Sequence, residues 1–228
     1  MIGLGTIINC TGILLGGLFG LLFGRFMKEQ IQDSLTKACG ICVLFIGISG
    51  ALEHISGNSL LIVGCIALGT FIGELLNIEL GFEKFGEWLK QKTGNAKDKQ
   101  FVEAFVLSSL TVCIGAMAIV GSIEDGITGD YSILATKAIL DLIIIMVMTA
   151  ALGKGCIFSA IPVGIWQGAI TLGASLLKPL FTEGALTNLS MIGSILIFCV
   201  GLNLVWGKKI RVANMLPAVI LAILAAFI

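Results

Sequence analysis

The chain has 228 residues, of which 57% are hydrophobic and 12% charged, and its formal net charge is zero. Soluble domains hold roughly 45–50% apolar and about 25% charged residues, so a single soluble core cannot hide this much apolar sequence. The balanced charge gives no basic footprint for nucleic acid. The 30 glycines fit tightly packed membrane helices, and with only three prolines the chain has no Ser/Pro-rich linker. The sequence therefore predicts an all-α, polytopic transmembrane helix bundle in the lipid bilayer, as a single membrane domain over 1–228.

A span needs about 20 mostly apolar residues. Eight segments qualify: 2–24, 38–55, 58–78, 101–123, 132–153, 156–177, 187–206 and 212–228. The first lacks a charged region before its apolar run and a small-residue cleavage site, so it reads as a helix and not a signal peptide. It carries Gly12, Gly16, Gly20 and Gly24 along one stripe. Small residues at that spacing let helix backbones approach closely, within one chain or across a homodimer. Asn9 lies in the same segment.

Between the first two segments, Phe26, Met27, Ile31 and Leu35 make a short amphipathic linker. His54, the single histidine, follows Glu53 at the end of the second segment and reads as a capping or surface group. After the third segment, Ile78, Phe82, Phe85 and Leu89 recur at helical spacing beside Trp88, with Lys and Glu opposite. This pattern predicts a helix over 78–92 lying in the membrane interface.

The fourth segment carries Ser109, and the turn behind it holds Glu124, Asp125 and Asp130. These three acids read as a solvated glycine-rich turn, or as an outer vestibule that concentrates cations. The fifth segment is the most informative. Asp141 lies near its middle, and Lys137 stands one turn away on the same face. A charge at that depth costs at least about 2.5–3.5 kcal/mol, so the two face a wet cavity, each other, or both. Gln167 in the sixth segment and Asn203 in the seventh are polar groups placed to join Asp141, with Asn9 and Ser109, in an ion- or substrate-binding cluster. Each is also readable as an ordinary interhelical hydrogen bond.

The basic residues test this count. Arg25, Lys28, Lys37, Lys84, Lys90, Lys92, Lys97, Lys99, Lys154, Lys208, Lys209 and Arg211 all follow odd-numbered segments. By the positive-inside rule those loops are cytoplasmic, which puts both termini outside. An internal repeat is also legible. A displacement of 154 positions carries Phe26, Met27, Ile31, Leu35 and Gly47 onto Leu180, Phe181, Ala185, Leu189 and Gly201. A displacement of 156 carries Asn58, Leu60, Val63 and Leu68 onto Asn214, Leu216, Val219 and Leu224. Segments 1–3 would then echo 6–8 in inverted orientation, as repeats 1–78 and 156–228 flanking a central hairpin 101–153. Inverted repeats are a habit of secondary transporters.

The seven cysteines sit in or beside apolar runs and read as buried small hydrophobes. Cys39 and Cys42 form a CxxC with no second pair, so no metal site is expected. No Walker A, HExxH or GxSxG motif occurs, so no cofactor is implied and enzymatic activity is not expected.

Four blocks carry a resemblance: GTIINCTGILLGGLFG from Gly5, CIGAMAIVGSIEDGITGDYSILATKAILD from Cys113, FSAIPVGIWQGAITL from Phe158 and GLNLVWGKKIRVANMLPA from Gly201. They resemble the bacterial DUF554 family. The resemblance covers essentially the whole chain. It implies a multi-pass protein of the bacterial inner membrane, and brings neither a substrate nor catalytic residues. Two functions stay open: a transporter or channel for an ion or small solute, and a membrane scaffold or partner subunit. A lipid-modifying enzyme is third and lacks a recognisable nucleophile and base.

Overall fold

The computed structural model describes residues 2–26, 28–54 and 59–227. Met27 and Asn58, used in the repeat comparison, lie outside the described residues. The described residues form eleven α-helices: α1 Leu4–Gly24, α2 Glu29–Glu53, α3 Ser59–Leu76, α4 Ile78–Lys92, α5 Phe101–Cys113, α6 Ala116–Thr128, α7 Ser132–Leu152, α8 Ala160–Leu172, α9 Ala174–Leu177, α10 Glu183–Trp206 and α11 Pro217–Leu224. A 3-10 turn over Lys154–Ser159 leads into α8, and another over Val212–Met215 leads into α11.

Five helical stretches are long and apolar enough to cross a membrane: α1, α2, α7, the run through α8 and α10. Counting the bent pairs α3–α4 and α5–α6 as one span each gives up to seven, and a shorter apolar helical stretch covers 212–227. Among the described residues, each apolar segment of the sequence is largely helical. Leu14, Leu18, Phe45, Leu68, Phe71, Ile139 and many other large apolar side chains point outward. In water such a surface would drive aggregation; in a bilayer it is the lipid-facing coat. The molecule is a multi-pass membrane protein.

Two expectations need correction. The linker around Phe26–Leu35 is not a separate amphipathic element, because α2 already begins at Glu29 and carries Ile31 and Leu35 within it. The fourth segment is not one straight helix. It breaks at Ile114–Gly115, and its halves meet at 62°. Ile114 is extended, and Gly115 has φ 149°, a conformation that side-chain-bearing residues rarely adopt. The helix expected over 78–92 forms with those bounds, joined to α3 through Asn77 at φ 52° and a 51° bend.

The interior is organised by close backbone approaches at glycine. A Cβ added at Gly12 would stand 2.7 Å from the Ala138 carbonyl oxygen. Gly16, Gly20 and Gly24 meet Leu142, Met146 and Ala150 in the same way. The stripe of α1 thus seats on α7 within one chain, and the two helices run parallel. Between α2 and α10, Gly40 meets Leu204 and Val205, Gly47 meets Phe198, and Gly50 meets Ser194. That pairing is antiparallel, α2 against α10. Gly69 and Gly73 meet Ala218 and Asn214, so α3 runs against α11. Gly155 lies on Phe101 and Gly126 on Thr171, so the run through α8 lies parallel to α5–α6.

Candidate functional site

The site is built on α7, held from behind by α1. Lys137 and Asp141 are one turn apart, and their side chains meet. The ammonium donates to both carboxylate oxygens of Asp141, at 2.8 Å and 2.6 Å. Lys137 is 7% exposed and Asp141 3%. The pair is therefore buried and closed on itself. Burying two charges carries a desolvation cost of several kcal/mol per ion, which their attraction offsets only when geometry is good.

Asn9 comes to this pair from α1. It lies on the face that carries Gly5, Gly12 and Gly16, and its amide stands beside the Asp141 carboxylate. It is fully buried, yet neither its nitrogen nor its oxygen completes a hydrogen bond. Gln167 behaves similarly on α8. It is 1% exposed, and both its amide atoms lack partners. Gly164, one turn before it, packs on Cys10 of α1. Thr6 and Thr171, on the same two helices, add buried hydroxyls without partners. Most buried polar groups in proteins are hydrogen-bonded, and leaving one unmade costs about 1–3 kcal/mol. Of these groups Asn9 is the one beside the ion pair, and its amide adds capacity there to bind a polar species.

Ser109 is fully buried on α5 and lacks a partner, but no contact joins it to Asp141. Asn203 does not belong to the cluster. Its side-chain oxygen accepts from the backbone of Lys209 and Ile210, and its nitrogen donates to the Ile210 carbonyl. Asn203 thereby closes the turn that ends α10 at Gly207, which explains its burial without a ligand.

The three acids before α7 separate into different roles. Asp125 is not solvated: it is fully buried in α6 and accepts from the backbone of Gly3 at 3.2 Å and of Gly5 at 3.0 Å. A carboxylate there satisfies amides at the start of α1 and complements its helix dipole. Asp130 is exposed and accepts from the backbone and hydroxyl of Ser132 at the start of α7. Those two bonds hold its carboxyl below the usual carboxylate range. Glu124 is half-buried near the end of α6. Of the three, only Glu124 and Asp130 remain available to a vestibule.

A second charged cluster, which the sequence reading missed, lies where α4 meets the chain behind α10. Glu79 is 2% exposed, accepts from the Ala213 backbone and pairs with Lys208 at 2.9 Å. The Asn214 side chain accepts from the Glu79 backbone at 2.7 Å. Lys208 also pairs with Glu83. Burial pulls the Lys208 ammonium down, but its bonds to Glu83 and Glu79 outweigh that and raise it above its ordinary value. Arg211 donates to Glu74 at 2.8 Å and to Asn77 at 2.9 Å. These contacts clamp the α3–α4 corner to the start of α11. Among the described residues, no group of three or more His, Cys, Asp or Glu could hold a metal ion.

The comparisons with known proteins agree with the whole-chain resemblance. The family described as "Protein of unknown function (DUF554)" matches residues 4–227. The uncharacterized membrane protein YdfK of Bacillus subtilis (strain 168) is 28% identical over 226 residues, covering 98% of this chain and 96% of that protein. The uncharacterized protein YqgA of Escherichia coli (strain K12) is 31% identical over 223 residues, covering 96% and 94%. No solved structure matches.

Proposed function

The chain belongs to the DUF554 family, and we propose that it is a secondary transporter or channel for an ion or small solute, with Asp141 as its mid-membrane site. The observation that carries the proposal is the buried Lys137–Asp141 pair with the buried amide of Asn9 beside it. Lys137 acts as a tethered cation. It holds the carboxylate at rest, and a solute cation or proton gains Asp141 only when the ammonium leaves it. The amide of Asn9 stands ready to complete the shell of the incoming species.

Eight crossings with both termini outside, in a bacterial inner membrane, are the topology we assign. Helix directions support it. In an alternating chain the first and fifth spans run parallel, as do the fourth and sixth, while the second opposes the seventh and the third opposes the eighth. The glycine contacts of α1 with α7, α5–α6 with the α8 run, α2 with α10 and α3 with α11 have those senses.

The inverted repeat of spans 1–3 and 6–8 is part of the same proposal. Displaced by 154 positions, Gly40, Leu44 and Gly47 become Ser194, Phe198 and Gly201. Gly47 packs on Ser194 and Phe198, and Gly201 packs on Gly40 and Leu44. The contact is reciprocal, as an approximate two-fold axis requires. The same displacement turns Cys10 into Gly164, and these two residues touch each other. The axis then passes between α1 and α8, close to Asn9 and Gln167. Sites near the repeat interface and broken helices at membrane depth are the pattern of alternating-access transporters, and the α5–α6 break fits it.

The test is flux in proteoliposomes. Purified protein should dissipate a proton, sodium or potassium gradient, and Asp141→Asn should abolish this while the protein still elutes as a folded particle. Undiminished flux in that variant removes Asp141 from the mechanism. The alternative reading, a membrane scaffold or partner subunit without transport, draws on one observation: both Asp141 oxygens are already engaged by Lys137. It predicts no flux from the chain alone and co-purification with one specific partner.

A further inference from the structure

A cavity of about 680 Å³ opens on the flank of the bundle at the α3–α4 corner. Its volume falls within the range of roughly 300–1,000 Å³ typical of ligand sites. Phe82 and Phe85 of α4 roof it, and Leu189 and Gly193 of α10 line its back. The helix break at Cys113–Gly115 lines it as well. The walls are almost wholly apolar. Leu76, Ile165, Trp166 and Ile220 line it too, and all four are strongly exposed. Its mouth is thus continuous with the lipid-facing coat, so hydrocarbon and not water is the medium at the entrance.

One polar feature lies at the corner. Asn77 lines the cavity, and its side-chain oxygen accepts from Arg211. Arg211 is exposed, with Glu74 as its other partner. Trp88, exposed on α4 and stacked on Phe85, is the kind of residue that marks the headgroup level. An apolar chamber open to lipid, with a cationic side chain at the interfacial corner, matches one kind of molecule.

We propose that this cavity binds a single membrane phospholipid, one acyl chain inside it and the anionic headgroup phosphate on Arg211. The site is distinct from the Lys137–Asp141 pair, since neither residue lines the cavity. A chain in the cavity would rest against the α5–α6 break and limit its movement. The bound lipid is therefore placed to set how freely the two halves of that span rearrange.

Gly81 provides the test. It lines the cavity, and a Cβ there meets nothing within 4 Å, so Gly81→Trp can fill the chamber without displacing neighbours. Gly64 on α3 also has open space around an added Cβ and does not line the cavity, so Gly64→Trp is the control. The full chain, delipidated in detergent, is titrated with phosphatidylglycerol or phosphatidylcholine and read by native mass spectrometry. The wild type and Gly64→Trp should retain one tightly held phosphatidylglycerol. Gly81→Trp should weaken it at least about tenfold, equivalent to about 1.4 kcal/mol, with an unchanged helical circular-dichroism spectrum. Arg211→Gln should still bind lipid but equalise the two headgroups. Retention in Gly81→Trp equal to the control overturns the acyl-chain site. A headgroup preference that survives Arg211→Gln overturns the phosphate contact.

Discussion

Removing the ammonium of Lys137 is the sharpest perturbation the structure offers. In Lys137→Met the carboxylate of Asp141, 3% exposed, loses a partner that contacts both its oxygens at 2.6–2.8 Å. Its remaining neighbour, Asn9, is a neutral amide. Breaking a buried pair by deleting one partner costs about 3–5 kcal/mol, because an uncompensated charge is left behind. For a chain of this size about 1 kcal/mol shifts the midpoint by roughly 2–4 °C, so the single variant should melt about 6–20 °C below wild type. The double variant Lys137→Met with Asp141→Leu removes both charges and should recover most of that loss. The assay is thermal unfolding in detergent followed by tryptophan fluorescence, run on all four members of the cycle. An exposed or water-screened pair would give only about 0.2–1 kcal/mol. A Lys137→Met shift under about 2 °C, with no recovery in the double variant, would refute the sealed geometry.

Four further outcomes follow. Gly16→Leu should fail to assemble or lose several kcal/mol, because an added Cβ runs into the backbone of Leu142 and overpacking costs about 1–3 kcal/mol even where neighbours can shift; protease resistance in membranes reads it. Asp125→Ala should lower stability by about 1–3 kcal/mol by orphaning the Gly3 and Gly5 amides, and backbone exchange should rise at the start of α1. Glu79→Gln should loosen the α4 clamp, seen as faster proteolysis in the stretch 93–100 that follows α4. Lys208 is raised above its ordinary value, so its contribution is complete below that ordinary value and is lost as pH rises through the folded one. Melting against pH should thus fall on the alkaline side in wild type and less so in Lys208→Gln.

Much of the bundle was legible from hydropathy, because each of the eight apolar segments had to find backbone hydrogen bonds internally and so became helix. The amphipathic helix Ile78–Lys92 was equally readable from its period. The glycine stripe of α1 announced a close approach but not its partner; α7, about 126 positions on, is a tertiary choice. The α5–α6 break was hidden because composition is uniform across it and a single glycine with positive φ suffices to make it. Asp125 was misjudged because charge counting by loop ignores where a distant helix begins. Asn203 looked like a mid-span polar group, and Gly207 close behind it was the overlooked sign of a helix end. The Lys137–Asp141 pairing was legible because a charge deep in an apolar span leaves few arrangements.

The central claim is that Asp141 exchanges Lys137 for a solute cation. Labelling with a hydrophobic carbodiimide, which couples to protonated carboxyls in apolar surroundings, tests it at the atom concerned. Tryptic mass spectrometry of protein in liposomes would follow modification of Asp141 with each candidate cation present or absent. The account predicts that Asp141 is labelled and that the transported cation slows its labelling. An Asp141 that stays unlabelled in folded protein, or is labelled at a rate no cation changes, contradicts it and leaves the pair as a structural tie.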